Sequence, residues 1–253
     1  MPVFRFPKLM GVPPEQTPEG IVAIGGNLEP QNVLEAYRNG IFPWPISPPA
    51  DDLAPEEFDD IDENDETEEN DEDADSEYPL AWFSPHPRAI LEFDQIHIPR
   101  SLKRAQNQGA YEFTINRAFD QVIHACQKAP RPGQNGTWIT DEMQEAYRVL
   151  HRLGIAHSVE AWPSGDKGGK LVGGIYGVNV DGAFAGESMF HHAPNASKLA
   201  LLHLASHLKS RGLAWMDIQM MTPHMKVLGA REISRDEFLL KLSQTRALGL
   251  KLF

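Results

Sequence analysis

Sulfur chemistry is almost absent from this chain. Its single cysteine, Cys126, excludes an internal disulfide and a cysteine-based zinc site. No apolar run is long enough to span a bilayer, and the opening residues MPVFRFPKLMGVPP lack the apolar stretch of a signal peptide. A cytoplasmic protein with no membrane partner is expected. Positive charge is missing from residues 51–77, where seventeen Asp and Glu stand without one Lys or Arg. The whole chain carries -13, so the remainder is mildly basic at +4. A stretch of that composition cannot bury enough apolar surface to order itself. It is expected to be a disordered insertion: a solvated surface loop, or a tether or mimic of nucleic-acid charge.

What remains is ample for a core. The chain has 253 residues, 41% of them hydrophobic, enough for one large domain or two smaller ones. Residues 1–20 are Pro-rich and read as irregular. Gln31 to Asn39 places Val33, Leu34 and Tyr37 at helical spacing, with Gly40 as the stop. Phe42-Pro43-Trp44-Pro45 is rigid and aromatic; Trp44 is either a core plug or a stacking platform for a ring or base. After the acidic stretch, Ala81 to Arg88 is turn-rich and reads as a hinge. The boundary is placed there: residues 1–87 form a small N-terminal domain carrying the insertion at 51–77, and residues 88–253 form the larger one. Arg100, Lys103 and Arg104 follow closely, as a solvated face or a grip on phosphates.

Helices are expected over Arg117 to Lys128 and after Thr140, a capping residue, up to Gly154. From Ile155 the pattern turns to strands: Ile155 to Trp162, Leu171 to Val180 and Ala183 to Phe190, the last two joined by an Asp181-Gly182 turn. A helix with Asn195 as N-cap and Leu201, Leu204, Ala205 and Leu208 on one stripe leads to Gly212. The strand Leu213 to Gln219 follows, and a helical pattern covers Arg235 to Leu242. The fold class is α+β, with a largely antiparallel sheet.

Within that last strand, Asp217 and Gln219 are two apart and share a face. An acid and an amide at the end of a buried strand are costly unless they bond something. They bond each other or a loop, or they are a site.

The segments GGNLEPQNVLEAYRNGIFPW, WFSPHPRAIL, GTWI, AHSVEAW, LVGGIYGV, GESMF, NASK and DIQ stand in one order over nearly the whole chain. Together they resemble the leucyl/phenylalanyl-tRNA-protein transferase family. The resemblance implies transfer of Leu, Phe or Met from an aminoacyl-tRNA to the N-terminal Arg or Lys of a protein, marking it for N-end-rule degradation. It also implies a GNAT-like acyltransferase fold for the C-terminal domain. A monomer is expected. The resemblance assigns Asp217, Gln219 and Glu187 to catalysis. Gln219 accepts a hydrogen bond from the attacking amine, Asp217 orients Gln219 and offsets developing positive charge, and Glu187 steadies the pair or binds the basic residue. Ile175, Phe184, Met189, Leu204, Leu208 and Met216 line the aminoacyl pocket, or are ordinary core. Trp44 and Trp138 flank the terminal adenosine, and Arg100, Lys103 and Arg104 hold the acceptor stem. The donor ester is already activated, so neither cofactor nor metal is needed. The alternative on the same fold is a CoA-dependent N-acetyltransferase. That chemistry uses a Gln/Arg-x-x-Gly-x-Gly/Ala loop to bind pyrophosphate, and the sequence holds none.

Overall fold

A computed structural model describes residues 4–45, 80–129, 139–165 and 169–253. The acidic stretch 51–77 and Trp138 lie outside the described residues. The first part builds a three-stranded antiparallel sheet from β1 (Ile21–Ile24), β2 (Phe42–Pro45) and β3 (Leu80–Phe83), in the order β1-β3-β2. Helix α1 (Pro30–Arg38) lies between β1 and β2 in sequence and starts on a proline, whose missing N–H is no loss in a first turn.

The larger sheet has seven strands: β4 (Arg88–Glu92), β5 (Tyr111–Ile115), β6 (Ala156–Pro163), β7 (Gly173–Val180), β8 (Ala183–His191), β9 (Trp215–Gln219) and β10 (Arg231–Ile233). Their order is β10-β4-β9-β8-β7-β6-β5. Every neighbouring pair is antiparallel except β8 and β9, which run parallel with Ala185 opposite Asp217. The remaining helices are α2 (Arg100–Asn107), α3 (Phe119–Lys128), α4 (Asp141–Arg152), α5 (Ala196–Ser210), α6 (Pro223–Val227) and α7 (Arg235–Ala247).

The expected turn and caps form where their chemistry demands. Asp181 and Gly182 both have positive φ, 52° and 91°, as a tight two-residue hairpin requires. Thr140 accepts from Met143 N at 3.1 Å as expected, and Ser234, which the sequence reading did not single out, caps α7 by accepting from Glu237 N. Asn195 departs from expectation. It holds the N-cap position of α5, but at φ 64° its side chain makes no capping bond. Ala193 O takes the Ala196 amide instead.

Apolar residues gather on both faces of the large sheet. One cluster joins Val33, Tyr37 and Trp82 of the first part to Phe119 on α3, Tyr147 on α4, and Tyr176 and Phe190 on the sheet. A second packs α5 and Leu102 of α2 against the opposite face. A third seats Phe238 of α7 on Ile90, Trp215 and Ile233. The chain passes from the small sheet to the large one between Phe83 and Arg88, and the first cluster is continuous across both.

One irregularity decides the geometry of the site. Phe184 and Met189 both pack on the second cluster, although five positions apart on one strand they would normally face opposite ways. A β-bulge reconciles them: Tyr176 faces Ser188 while Gly177 faces Gly186, so Glu187 has no partner across the ladder. Gly177 permits this close approach, since a Cβ there would sit 2.3 Å from Ala185 O. Gly177→Ala is expected to destabilise the fold by about 1–3 kcal/mol through overpacking, read by urea denaturation.

Candidate active site

The alternation of β9 sorts its side chains. Met216 enters the second cluster, while Trp215 packs against Phe238 and donates to Thr245 Oγ1 at 2.9 Å. Asp217 meets Arg88, the first residue of β4. The guanidinium grips the carboxylate at two points, Nε to Oδ1 at 2.9 Å and Nη2 to Oδ2 at 2.6 Å. Arg88 is 1% exposed and Asp217 5%. The arginine also donates to Gly40 O and lies over the rings of Phe42 and Phe238, at 4.9 and 4.5 Å. A buried ion pair is tolerable when its geometry is good and further polar partners share its donors; here the grip is two-pointed, and Gly40 O and two ring faces take up the rest of the guanidinium.

Asp217 Oδ1 accepts a second bond, from the backbone N–H of Gln219 at 2.8 Å. Gln219 has φ 63°, and Met220 N donates to Ile218 O at 2.7 Å, closing a γ-turn around it. A positive φ at a non-glycine costs on the order of 1–3 kcal/mol and persists only where its surroundings impose it. Here the Asp217 bond imposes it. The strand therefore stops at Gln219, and the turn aims its side chain at β8. Gln219 Nε2 donates to Glu187 Oε1 at 2.8 Å. That contact orients the amide, and its oxygen stays open as an acceptor, with no described donor upon it.

Glu187 is the bulge residue. Its Oε2 accepts from Tyr147 OH at 3.3 Å, and Tyr147 and Tyr37 share a hydroxyl contact of 2.6 Å. Burial drives the Glu187 carboxyl up to about 7; bonds from Tyr37 and Gln219 oppose the rise, and the Asp217 charge adds to it. Burial first, then the Glu187 charge, pushes both tyrosine hydroxyls well above their ordinary range. A carboxyl raised from 4.5 to about 7 on folding weakens the fold as pH climbs through that window, because the unfolded chain ionises first. Glu187→Gln is expected to remove this loss. Its unfolding free energy should vary less than that of the parent between pH 4.5 and 7, measured by denaturation across the range.

Sequence reasoning brought Asp217, Gln219 and Glu187 forward, and the structure places all three in one hydrogen-bonded chain. It gave no role to Arg88, Tyr37 or Tyr147. A charge opening the apolar run Ala89-Ile90-Leu91 was the available signal for Arg88.

The six expected pocket residues are also gathered. Ile175, Phe184, Leu204, Leu208 and Met216 are buried in the second cluster between the sheet and α5, and half-buried Met189 packs against it. Arg100, Lys103 and Arg104 are exposed on α2 with Leu102 turned inward, and none forms an ion pair with a described residue. Trp44 is half-buried on β2, 6.3 Å from the rings of Phe42 and Phe83. The same Phe42 covers Arg88, so the tryptophan strand leads directly to the buried pair.

Residues 90–243 match the family described as Leucyl/phenylalanyl-tRNA protein transferase, and residues 26–53 match the N-terminal domain of the same family. Curated relatives carry the name leucyl/phenylalanyl-tRNA-protein transferase. One from Anaeromyxobacter sp. (strain K) is 43% identical over 246 residues, covering 96% of this chain and 91% of the relative. One from Oleidesulfovibrio alaskensis is 41% identical over 254 residues, covering 99% and 91%. One from Shewanella sp. (strain W3-18-1) is 44% identical over 229 residues, covering 90% and 83%.

Proposed function

Because the chain belongs to the leucyl/phenylalanyl-tRNA-protein transferase family, we propose that it moves Leu, Phe or Met from an aminoacyl-tRNA to the N-terminal Arg or Lys of a protein. The observation that carries this reading is the chain Arg88–Asp217–Gln219–Glu187, which holds one uncommitted amide oxygen in place.

The acceptor amine has an ordinary pKa near 8, so part of it is neutral at pH 7. Gln219 Oε1 takes a hydrogen bond from that amine and points its lone pair at the ester carbonyl. Asp217 acts through the backbone of Gln219, and its charge is already matched by Arg88. It is thus a positioning residue, a narrower role than offsetting charge on the amine. Attack forms the peptide C–N bond and breaks the ester C–O bond, and the 3′ or 2′ hydroxyl of the terminal ribose leaves. The amine proton passes to that oxygen directly or through water. Positioning supplies much of the rate, because the ester is activated before it arrives. Ionised Glu187 keeps the Gln219 amide in this orientation and offers negative charge to the basic N-terminal residue.

The donor side chain enters the apolar cluster under α5. Leu, Phe and Met all have an unbranched Cβ, and the flexible Met189 and Met216 adjust to their different shapes. Met189→Ala should raise the KM for phenylalanyl-tRNA several-fold and leave the acceptor KM unchanged; equal changes in both would remove Met189 from the pocket. Trp44 and Trp138 flank the terminal adenosine, and the α2 cations hold the acceptor stem in a salt-sensitive, sequence-tolerant way. The division at residue 87 and a GNAT-like character for the second part complete the reading. A mainly antiparallel sheet with one parallel pair bridged by a helix supports that fold.

The N-acetyltransferase reading has less behind it, since the β8–α5 link from His191 to Asn195 contains no glycine to cradle a pyrophosphate. Offering the protein an Arg-starting peptide with both acetyl-CoA and charged tRNA separates the two. The peptide should gain the mass of Leu or Phe; a gain of one acetyl group would reverse the assignment.

A further inference from the structure

We propose that the cleft between α2, β5 and α5 seats the base of one unpaired nucleotide of the donor tRNA, upstream of the terminal adenosine, an inference that rests on the transferase reading above. β5 ends the large sheet, and its Tyr111 and Phe113 alternate onto the face that α5 covers. On α5, Leu199, His203 and Ser206 recur at helical spacing and turn one stripe toward them. Gln106, in the last turn of α2, closes the third side. The enclosed space is about 160 Å³. Sites for a whole drug-sized ligand run to roughly 300–1,000 Å³, so this cleft suits one ring system of a larger molecule.

The walls offer ring faces. Tyr111, Phe113 and His203 are all half-buried. His203 lies against Phe113, with centroids 5.0 Å and planes 22° apart. Tyr111 OH donates to Pro194 O at 2.9 Å, which fixes its ring. Burial first, then the His207 charge, lowers His203 below the ordinary histidine value, so its ring is neutral at pH 7 and offers one N–H and one bare nitrogen. The His203 ring, the Gln106 amide and the Ser206 hydroxyl have no hydrogen-bond partner among the described residues. Flat aromatic walls with a few convergent polar groups suit a nucleobase.

Charge identifies the molecule that carries the ring. Arg100, Lys103 and Gln106 stand three apart along α2, so this row of the helix steps from two cations into the cleft, with Arg104 beside it. The neighbouring acids are engaged elsewhere. Glu112, on the other face of β5 by alternation, accepts from Gly165 N, and Asp94 pairs with Lys209. A flat ring on a chain of phosphates satisfies both cleft and cations, whereas an acceptor with a basic N-terminus is repelled.

Distance decides which nucleotide enters. β5 is four strands from β9, roughly 19 Å at the usual spacing of about 4.8 Å. The terminal adenosine, tied to Gln219 by its ester, does not reach the cleft. A nucleotide a few links upstream does, and the unpaired one next to the stem is the occupant. Its phosphates then fall to the α2 cations. Stacking accepts any base, so tRNA binding stays sequence-tolerant.

The test uses two phenylalanyl-tRNAs, one intact and one abasic at the unpaired position next to the stem, with an Arg-starting peptide as acceptor. The unaltered protein should show a KM about tenfold lower for the intact donor, the worth of one base stacked on aromatic side chains. Phe113→Leu with His203→Leu removes the ring faces and keeps apolar bulk. It should erase that preference and leave the KM for the abasic donor and the melting temperature unchanged. Ser206→Leu, at an exposed position on the cleft's rim, should erase the preference by filling the space. Lys103→Met should raise the KM for both donors alike. Equal use of both donors by the unaltered protein would overturn the site while leaving the transferase reading standing. So would a preference that survived in the leucine variants, since the base would then be read elsewhere. A defect confined to the acceptor KM would also overturn it, since the cleft would then take the peptide. Transfer from neither donor would overturn the transferase reading and the site with it.

Discussion

Asp217→Ala should reduce transfer at least about a hundredfold and destabilise the fold by about 3–5 kcal/mol, the cost of stranding one partner of a buried ion pair. The variant leaves Arg88, 1% exposed, without a carboxylate. It also frees the Gln219 amide from the bond that holds its φ at 63°. The two losses are separable. Arg88→Met combined with Asp217→Ala removes both charges, so stability should return most of the way while transfer does not, because the γ-turn still lacks its anchor. Urea denaturation and single-turnover transfer of the two variants would show this. A double variant that regained both properties would mean that the pair matters only for folding.

Gln219→Ala should have the opposite profile. The side chain makes one bond, to Glu187 at 2.8 Å, and Tyr147 continues to serve that carboxylate. Alanine suffers the same backbone strain as glutamine at this φ, so stability should change by less than about 1 kcal/mol. The rate should fall about 10²- to 10³-fold, the usual worth of a positioned hydrogen-bonding group at a reacting centre. Binding of charged tRNA should be unaffected, because Gln219 touches only the acceptor. A kcat within a few-fold of the parent would remove Gln219 from the reaction.

Much of this was legible in the sequence, for identifiable reasons. Asp217 and Gln219 stand two apart at the end of an apolar strand, and period-two alternation alone puts them together. The Asp181-Gly182 hairpin and the Thr140 cap are local chemistry, decided within four residues. What could not be read depends on distance or on register. Arg88 lies 129 positions from Asp217, and no local pattern links them. Tyr147 lies 40 positions from Glu187, on the buried stripe of α4, where a tyrosine passes for ordinary core. The bulge at Glu187 is an irregularity in pairing, and two strands must be seen side by side to reveal it. Strand β10 has three residues and helix α6 five, too few for a period to show. Strand β5 alternates in sequence but is half-buried throughout at the sheet's edge, so its apolar signal is weak. Asn195 has the composition of a cap and the backbone of a left-handed turn, and composition cannot distinguish the two.

The central claim is that this chain joins an aminoacyl group from tRNA to a free basic N-terminus. The most direct measurement is the mass of two peptides of identical sequence, each starting with Arg, one free at its N-terminus and one acetylated there, after incubation with the protein and phenylalanyl-tRNA. The free peptide should gain one Phe residue and the acetylated peptide nothing. No gain on the free peptide, or a gain on both, would contradict the account.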